Sequence, residues 1–172
     1  INQFNHSFKS FGWNVRWADP DDLGAVEAAI SDKTRAIFIE SLANPGGVVT
    51  DIAAIAAIAK KAGIPLIVDN TLATPYLCRP IEHGADIVVH SLTKFMGGHG
   101  NSMGGMIVDG GTFDWAASGN YPMLSEPRPE YQGLTIQETF GDFGFAIACR
   151  VLGLRDLGAA ISPFNAFLIL TG

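Results

Sequence analysis

Short apolar runs alternate with helical stretches along the first two-thirds of the chain. Asn14–Trp17 predicts a strand, and Asp19-Pro20-Asp21-Asp22 predicts the start of a helix reaching Ile30. Proline in a first turn and acids near a helix N-terminus both suit that start. Arg35–Glu40 predicts a second strand. Asp51 then caps a helix whose Ile52, Ile55 and Ile58 share one face, with Lys60 and Lys61 in the last turn and Gly63 at the stop. Ile64–Val68 predicts a third strand ending in Asp69, Ala85–Val89 a fourth ending in His90-Ser91, and Met103–Val108 a further one. Continuously apolar strands separated by helices predict an α/β fold with a central, mostly parallel sheet flanked by helices on both faces.

After Gly110 the pattern changes. Phe113–Leu134 is rich in proline, glycine, serine and aromatic residues. It is expected to be an ordered excursion, because Trp115, Tyr121, Met123 and Tyr131 are costly to leave in water. Helical patterning resumes near Ile136 and runs to about Leu154, interrupted by glycines. No internal repeat and no low-complexity tract is present.

Composition narrows the function classes. The 172 residues fit one domain by length, and 48% hydrophobic against 16% charged residues is ordinary globular usage. A net charge of −6 with eleven scattered basic residues argues against a nucleic-acid groove, which needs clustered Lys and Arg. The longest apolar stretch, Ile52–Ala59, is far below the ~18 residues of a membrane span. Cys78 and Cys149 have no metal or redox spacing and are expected to be small core residues of a cytoplasmic protein. The chain starts at Ile1 and stops in an apolar run at Gly172, so it is expected to be a fragment of a longer protein.

In open α/β sheets, ligands bind beyond the carboxyl ends of the strands. The polar residues gather there. Glu40 is followed by Asn44-Pro45-Gly46-Gly47, Asp69 by Asn70-Thr71, and Ser91-Leu92-Thr93-Lys94 by Gly97-Gly98-His99-Gly100. A lysine amine of ordinary pKa, ~10.4, is neutral in only about one molecule in 10³ at pH 7. One chemical solution is to store it as an imine with a carbonyl cofactor. Ser91 and Thr93 can donate to a phosphate, and nearby glycines let backbone approach closely. Asp69, on the neighbouring strand, can hold a protonated ring nitrogen. An imine-forming lysine, an acid for a pyridinium and phosphate donors are what pyridoxal 5'-phosphate (PLP) requires.

Each piece also has a plainer reading. An Asp ending a strand is usually a turn or cap residue, a Lys near glycines is usually solvated, and Gly97-Gly98 alone is usually a tight turn. A Walker-type phosphate loop is excluded, since the glycines follow the lysine. His90 precedes Ser91 and by alternation should face the opposite way, which suits packing. His99 is open to both a gating and a structural role. His6 and His83 read as surface or turn residues, and nothing groups them with carboxylates at metal spacing.

In order, these residues resemble the Cys/Met-metabolism PLP-dependent enzymes, which include cystathionine γ-synthase, cystathionine lyases and methionine γ-lyase. The resemblance rests on Glu40-Ser-Leu-Ala-Asn44-Pro45, Val68-Asp69-Asn70-Thr71 and His90-Ser91-Leu92-Thr93-Lys94-Phe-Met-Gly97-Gly98-His99, and it covers the whole chain. Phe113-Asp114-Trp115, Tyr121–Pro127, Tyr131–Leu134, Leu154–Ala159 and Ser162–Ala166 are similar to the O-acetylhomoserine sulfhydrylase branch, whose insertion the shorter γ-synthases and lyases typically lack.

The resemblance implies a fold-type I PLP-dependent transferase large domain over 1–160, lacking its N-terminal part. The insertion would span about 111–135, and 161–172 would begin the connection to a C-terminal domain. It implies that Lys94 carries the cofactor and moves substrate protons, that Asp69 pairs with the ring nitrogen, and that Ser91 and Thr93 bind the phosphate. Asn44 would contact the cofactor's phenolic oxygen or the substrate carboxylate. Glu40, Thr71 and His99 are further candidates. The implied reaction is γ-replacement, O-acetyl-L-homoserine plus sulfide or methanethiol giving homocysteine or methionine. Its place would be methionine biosynthesis, its assembly a homotetramer or homodimer with shared active sites. A phosphate-binding Gly-Tyr loop, a neighbouring subunit's Tyr and Arg and a substrate-carboxylate Arg are implied outside these residues. The 172-residue piece alone is therefore expected to lack turnover. A γ-lyase or γ-synthase activity, and a non-catalytic fragment or interaction subunit, remain the alternatives.

Overall fold

Asp51 fixes where the most regular helix begins: its Oδ1 accepts the Ala54 N–H at 3.0 Å, and Ile52–Ala62 follows. Gly63 ends the helix at φ +66, a left-handed conformation that costs glycine little. Ile52, Ile55, Ile58 and Ala59 recur at helical spacing and are all buried. In chain order the computed structural model, which describes residues 1–172, carries helices α1 (Asn2–Asn5), α2 (Leu23–Ala29), α3 (Ile52–Ala62), α4 (Thr74–Leu77), α5 (Pro122–Ser125), α6 (Ile136–Phe140), α7 (Gly144–Ala148) and α8 (Pro163–Leu170). Four strands, β1 (Ile37–Glu40), β2 (Leu66–Asp69), β3 (Ile87–Ser91) and β4 (Gly105–Asp109), form one sheet in that order.

The first three strands are parallel and β4 is antiparallel. Alternation along each strand divides the core in two. Leu66, Val68 and Val88 pack with Val26 and the isoleucines of α3 on one face. Ile67, Ile87 and Val89 pack on the other with Trp115, Leu124, Ile136 and Ala148. The expected mostly parallel sheet with both faces covered is therefore observed, and the aromatic excursion supplies much of the second cover. Trp115 stacks on Phe145 at 4.8 Å between centroids, and the Tyr121 hydroxyl donates to the Arg35 carbonyl oxygen at 2.6 Å. No helix is long and apolar enough to cross a membrane.

Several expectations are corrected. Asn14–Trp17 is not a strand, because no strand lies beside it to take its backbone hydrogen bonds; Trp17 instead joins Phe4, whose ring also packs on Phe38. The helix expected from Asp19 starts at Leu23, with Asp22 as its cap, so Pro20 precedes it. The helix expected over 136–154 breaks at Gly141, which has φ +53, and Cys149–Asp156 winds as a π-helix. Met123 is 49% exposed, so the excursion buries Trp115 and Leu124 without it. Cys78, at the margin of the α3 cluster, and Cys149 are half-buried, and burial raises both thiol pKa values.

Candidate functional site

Three strand ends meet at one edge of the sheet. Glu40 and Asp69 are direct partners across β1 and β2, and Asp69 lies beside Val89, two residues before Ser91. Alternation gives Glu40, Asp69 and Ser91 the face that carries Ile67, Ile87 and Val89. Ser41, Asn70 and His90 take the opposite face, toward α3. A carboxylate pair and a hydroxyl thus share one side, and the turn bearing Lys94 follows directly.

The two faces differ in what their polar groups do. On the α3 side, Asn70 is fully buried: its Oδ1 accepts from Ser41 Oγ at 2.7 Å, and its Nδ2 donates to the Cys78 carbonyl at 2.8 Å. These bonds tie the ends of β1 and β2 to the segment after α4. His90 is also buried, as alternation predicts, and its Nδ1 has no partner. Burial lowers its pKa, against the opposing pull of the Asp69 charge and the Asn70 backbone.

On the other side the groups are tethered but keep ligating atoms free. Asp69 Oδ1 accepts from the Thr71 main-chain N–H at 3.0 Å and from Thr71 Oγ1 at 2.5 Å. Thr71 Oγ1 in turn accepts the Ser91 N–H at 2.8 Å. One hydroxyl therefore fixes the Asp69 carboxylate to the end of β3. Glu40 Oε2 accepts the Asn44 N–H at 3.0 Å, and Thr50 Oγ1 donates to the Glu40 carbonyl at 2.8 Å, which closes the loop between β1 and α3.

Lys94 is exposed, and its Nζ makes no ion pair or hydrogen bond. Asp69 Oδ2, Ser91 Oγ and the Asn44 side-chain amide are likewise free of protein partners, and Asn44 is exposed. Thr93 differs: its Oγ1 lies against the Gly104 backbone, 3.3 Å from N and 3.4 Å from O. His99 is exposed and sits in its own turn, Nδ1 lying 3.1 Å from the Gly97 carbonyl. That hydrogen bond is local, and none from His99 reaches Asp69 or Thr71.

This donor set fits PLP. It offers an amine without a competing carboxylate, an acid with one oxygen tethered and one free, and a hydroxyl at a glycine-rich turn. Thr71 in the middle of the site was legible only as a candidate, and its double role depends on how β2 and β3 align. The buried Ser41–Asn70 pair was missed altogether, although alternation from Ile39 and Val68 puts both residues on one face.

Comparison with known proteins agrees with this chemistry. The profile of the Cys/Met metabolism PLP-dependent enzyme family matches residues 1–172. An O-acetyl-L-homoserine sulfhydrylase of Leptospira meyeri is 49% identical over 179 residues, 99% of this chain and 40% of that protein. A Campylobacter jejuni chain described as an O-acetylhomoserine (thiol)-lyase, solved with N'-pyridoxyl-lysine-5'-monophosphate, superposes with a TM-score of 0.93 at 40% identity, over 99% of this chain and 42% of that one. A cystathionine γ-lyase of Lactobacillus plantarum superposes with a TM-score of 0.72 at 30% identity, over 99% of this chain and 36% of that one. The chain spans about two-fifths of the length of such relatives.

Proposed function

The chain belongs to the Cys/Met metabolism PLP-dependent enzyme family, and from that premise we propose that the whole protein catalyses γ-replacement on O-acetyl-L-homoserine with sulfide or a simple thiol. Residues 1–160 would be most of its cofactor-binding domain, with 111–135 as an insertion and 161–172 leading to a further domain. The observation that carries the reading is the gathering of Lys94, Asp69 and Ser91, each with a free ligating atom, at one edge of the sheet.

Bound PLP would supply an electron sink for negative charge at the substrate α-carbon. Asp69 Oδ2 would accept from a protonated ring nitrogen, and the Thr71 bond on Oδ1 holds the carboxylate in place for it. Ser91 Oγ would donate to the phosphate. Thr93 Oγ1 can do so only by leaving the Gly104 backbone, where its contacts are long enough to exchange cheaply. Asn44, whose backbone is held by Glu40, offers its amide to the phenolic oxygen or the substrate carboxylate. Lys94 Nζ would take the α-proton, hand it on before taking one from the β-carbon, and return protons to the carbon chain once sulfur has added. At the γ-carbon the C–O bond breaks, acetate leaves with the electron pair, and hydrosulfide forms the new C–S bond. The products are homocysteine and acetate, and methanethiol in place of sulfide gives methionine.

Two observations favour this reaction over γ-elimination from cystathionine. The excursion 113–134 is built into the core through Trp115 and Leu124, and the likeness to the Campylobacter chain exceeds that to the γ-lyase. The test is the full gene product incubated with PLP, reduced with borohydride and mapped by peptide, with Lys94→Ala as control. Product analysis with O-acetylhomoserine plus sulfide, and separately with cystathionine, accompanies it. A pyridoxyl adduct on Lys94 together with sulfide-dependent homocysteine formation is the expected result. A folded, PLP-saturated protein with Lys94 unlabelled would overturn the proposal in favour of a non-catalytic role.

A further inference from the structure

The turn that carries Lys94 is bound at its base to the segment around residue 104. Leu92 N–H donates to the Gly104 carbonyl at 2.9 Å, Thr93 Oγ1 lies 3.3 Å from Gly104 N, and Gly98 N–H closes the turn on the Lys94 carbonyl at 2.8 Å. Whatever moves residue 104 moves the base of the turn. α8 reaches that segment at its start. Asn165 Nδ2 donates to the Met103 carbonyl at 3.3 Å, and Ser162 caps the helix by accepting the Asn165 N–H at 3.1 Å.

The packing between them leaves no room at one position. A methyl on Gly104 would sit 2.6 Å from Ile169 Cδ1 and 2.8 Å from Ile161 Cδ1, with Leu92 Cβ at 3.5 Å on the third side. Carbon atoms rest at about 3.5–4.0 Å, so the two isoleucine tips would have to leave the notch, by rotating their side chains or by a shift of the helix or the turn. The backbone of Gly104 is not in the left-handed region. Glycine is required there by space, not by its conformational freedom. A methyl on Gly97, inside the same turn, would run into the Leu92 carbonyl oxygen, with Ile169 Cγ1 at an ordinary contact distance of 3.5 Å.

We propose that Gly104, Ile161 and Ile169 act together as positioning residues: the two isoleucine tips seat in the notch at Gly104, and α8 thereby sets the height of the turn that presents Lys94. None of the three carries a group that could bind a cofactor's polar atoms or move a proton. Their effect passes through the Gly104 carbonyl and the Leu92 amide to Lys94. The role also explains why the polar residue of α8 that faces the sheet, Asn165, holds Met103, the residue next to the notch. The inference rests on Lys94 being the cofactor lysine.

Both close contacts are made by Cδ1 atoms, and Ile→Val removes that atom alone. The experiment uses the full gene product with PLP and compares wild type, Gly104→Ala, Ile161→Val/Ile169→Val, and the triple variant. Gly104→Ala is expected to lower kcat at least tenfold with KM changed less than threefold, since misplacement of about 1 Å can cost on the order of a hundredfold. In the apo-protein, amide hydrogen exchange at Leu92 and Gly98 should quicken in Gly104→Ala. The triple variant should recover most of both losses. Gly104→Ala indistinguishable from wild type, or a loss that the valines do not relieve, would overturn the proposal. If Gly104→Ala does not fold, the valine pair decides: faster exchange at Leu92 and Gly98 supports the seat, and unchanged exchange rejects it. Borohydride labelling of wild-type Lys94 separates the two levels. Absence of the adduct removes the reading of Lys94 and this inference with it, whereas an adduct beside a neutral Gly104→Ala removes the inference alone.

Discussion

Thr71 and Asp69 are joined by a 2.5 Å hydrogen bond from Oγ1 to Oδ1, and the same hydroxyl oxygen accepts the Ser91 N–H at 2.8 Å. The bond makes the carboxylate at the end of β2 and the phosphate-donor candidate at the end of β3 parts of one unit. Only one Asp69 oxygen is left for a ligand, and its direction is set by a residue that need not touch that ligand.

Thr71→Val keeps the shape and removes the bridge, stranding the Ser91 amide and loosening Asp69. Such a loss is worth about 1–3 kcal/mol, or roughly ten- to a hundredfold weaker PLP binding in the full gene product. Thr71→Ser should stay within a few-fold of wild type. Fluorescence titration with PLP checks both, and equal affinities for Val and Ser would remove Thr71 from the site.

Asn70 is the central polar residue of the α3 side. Ser41→Ala leaves its buried Oδ1 without a donor and should cost about 1–3 kcal/mol. Asn70→Leu strands the Cys78 carbonyl and Ser41 hydroxyl as well, so a larger loss is expected. Urea unfolding gives the ranking directly: Asn70→Leu below Ser41→Ala below wild type. Unchanged midpoints would mean that water replaces the pair without cost.

His90 predicts an acid limb. Its folded pKa is depressed by burial from an ordinary value of about 6.5, so between the two values the unfolded chain binds more protons than the folded one. The stabilisation is present above pH 6.5 and is lost as pH falls through the folded pKa. Comparing urea midpoints at pH 7.5 and 5.5 should give a steeper decline for wild type than for His90→Gln, and parallel declines would contradict the assignment.

Tyr121 predicts the opposite limb. Burial holds its phenol at about 12, against an ordinary value of 10. From pH 10 to 12 the folded chain keeps a proton that the unfolded chain loses, so stability falls as pH rises. Tyr121→Phe removes this slope and also the bond to the Arg35 carbonyl, so it should be less stable than wild type at pH 8 and converge with it near pH 12. A constant gap across that range would assign the whole effect to the hydrogen bond.

Much of the chain was legible without coordinates. The short apolar runs at 64–68 and 85–89, each ending in polar residues, predicted interior strands, and the 3.6-residue spacing of Ile52, Ile55 and Ile58 with Asp51 and Gly63 at its ends predicted a helix. Alternation alone put His90 and Ser91 on opposite faces. The Ser-x-Thr-Lys block carried the cofactor expectation because PLP chemistry needs an amine, an acid and hydroxyls together. Asn14–Trp17 was misread because β-type residues form a strand only when a neighbour accepts their hydrogen bonds. The helix over 136–154 was misread because pattern does not register how Gly141 turns the chain.

Sequence by itself determined the interiors of β1, β2 and β3, where α3 starts and stops, and which side chains lie at those strand ends, since these follow from local spacing and from the period of each element. The tertiary structure alone decided that β4 runs antiparallel, that Thr71 bridges Asp69 to Ser91, that Ser41 pairs with Asn70, and that α8 seats in the notch at Gly104. Those relationships join residues far apart in the chain, and their geometry is fixed by strand register and close packing, neither of which leaves a periodic trace in the sequence.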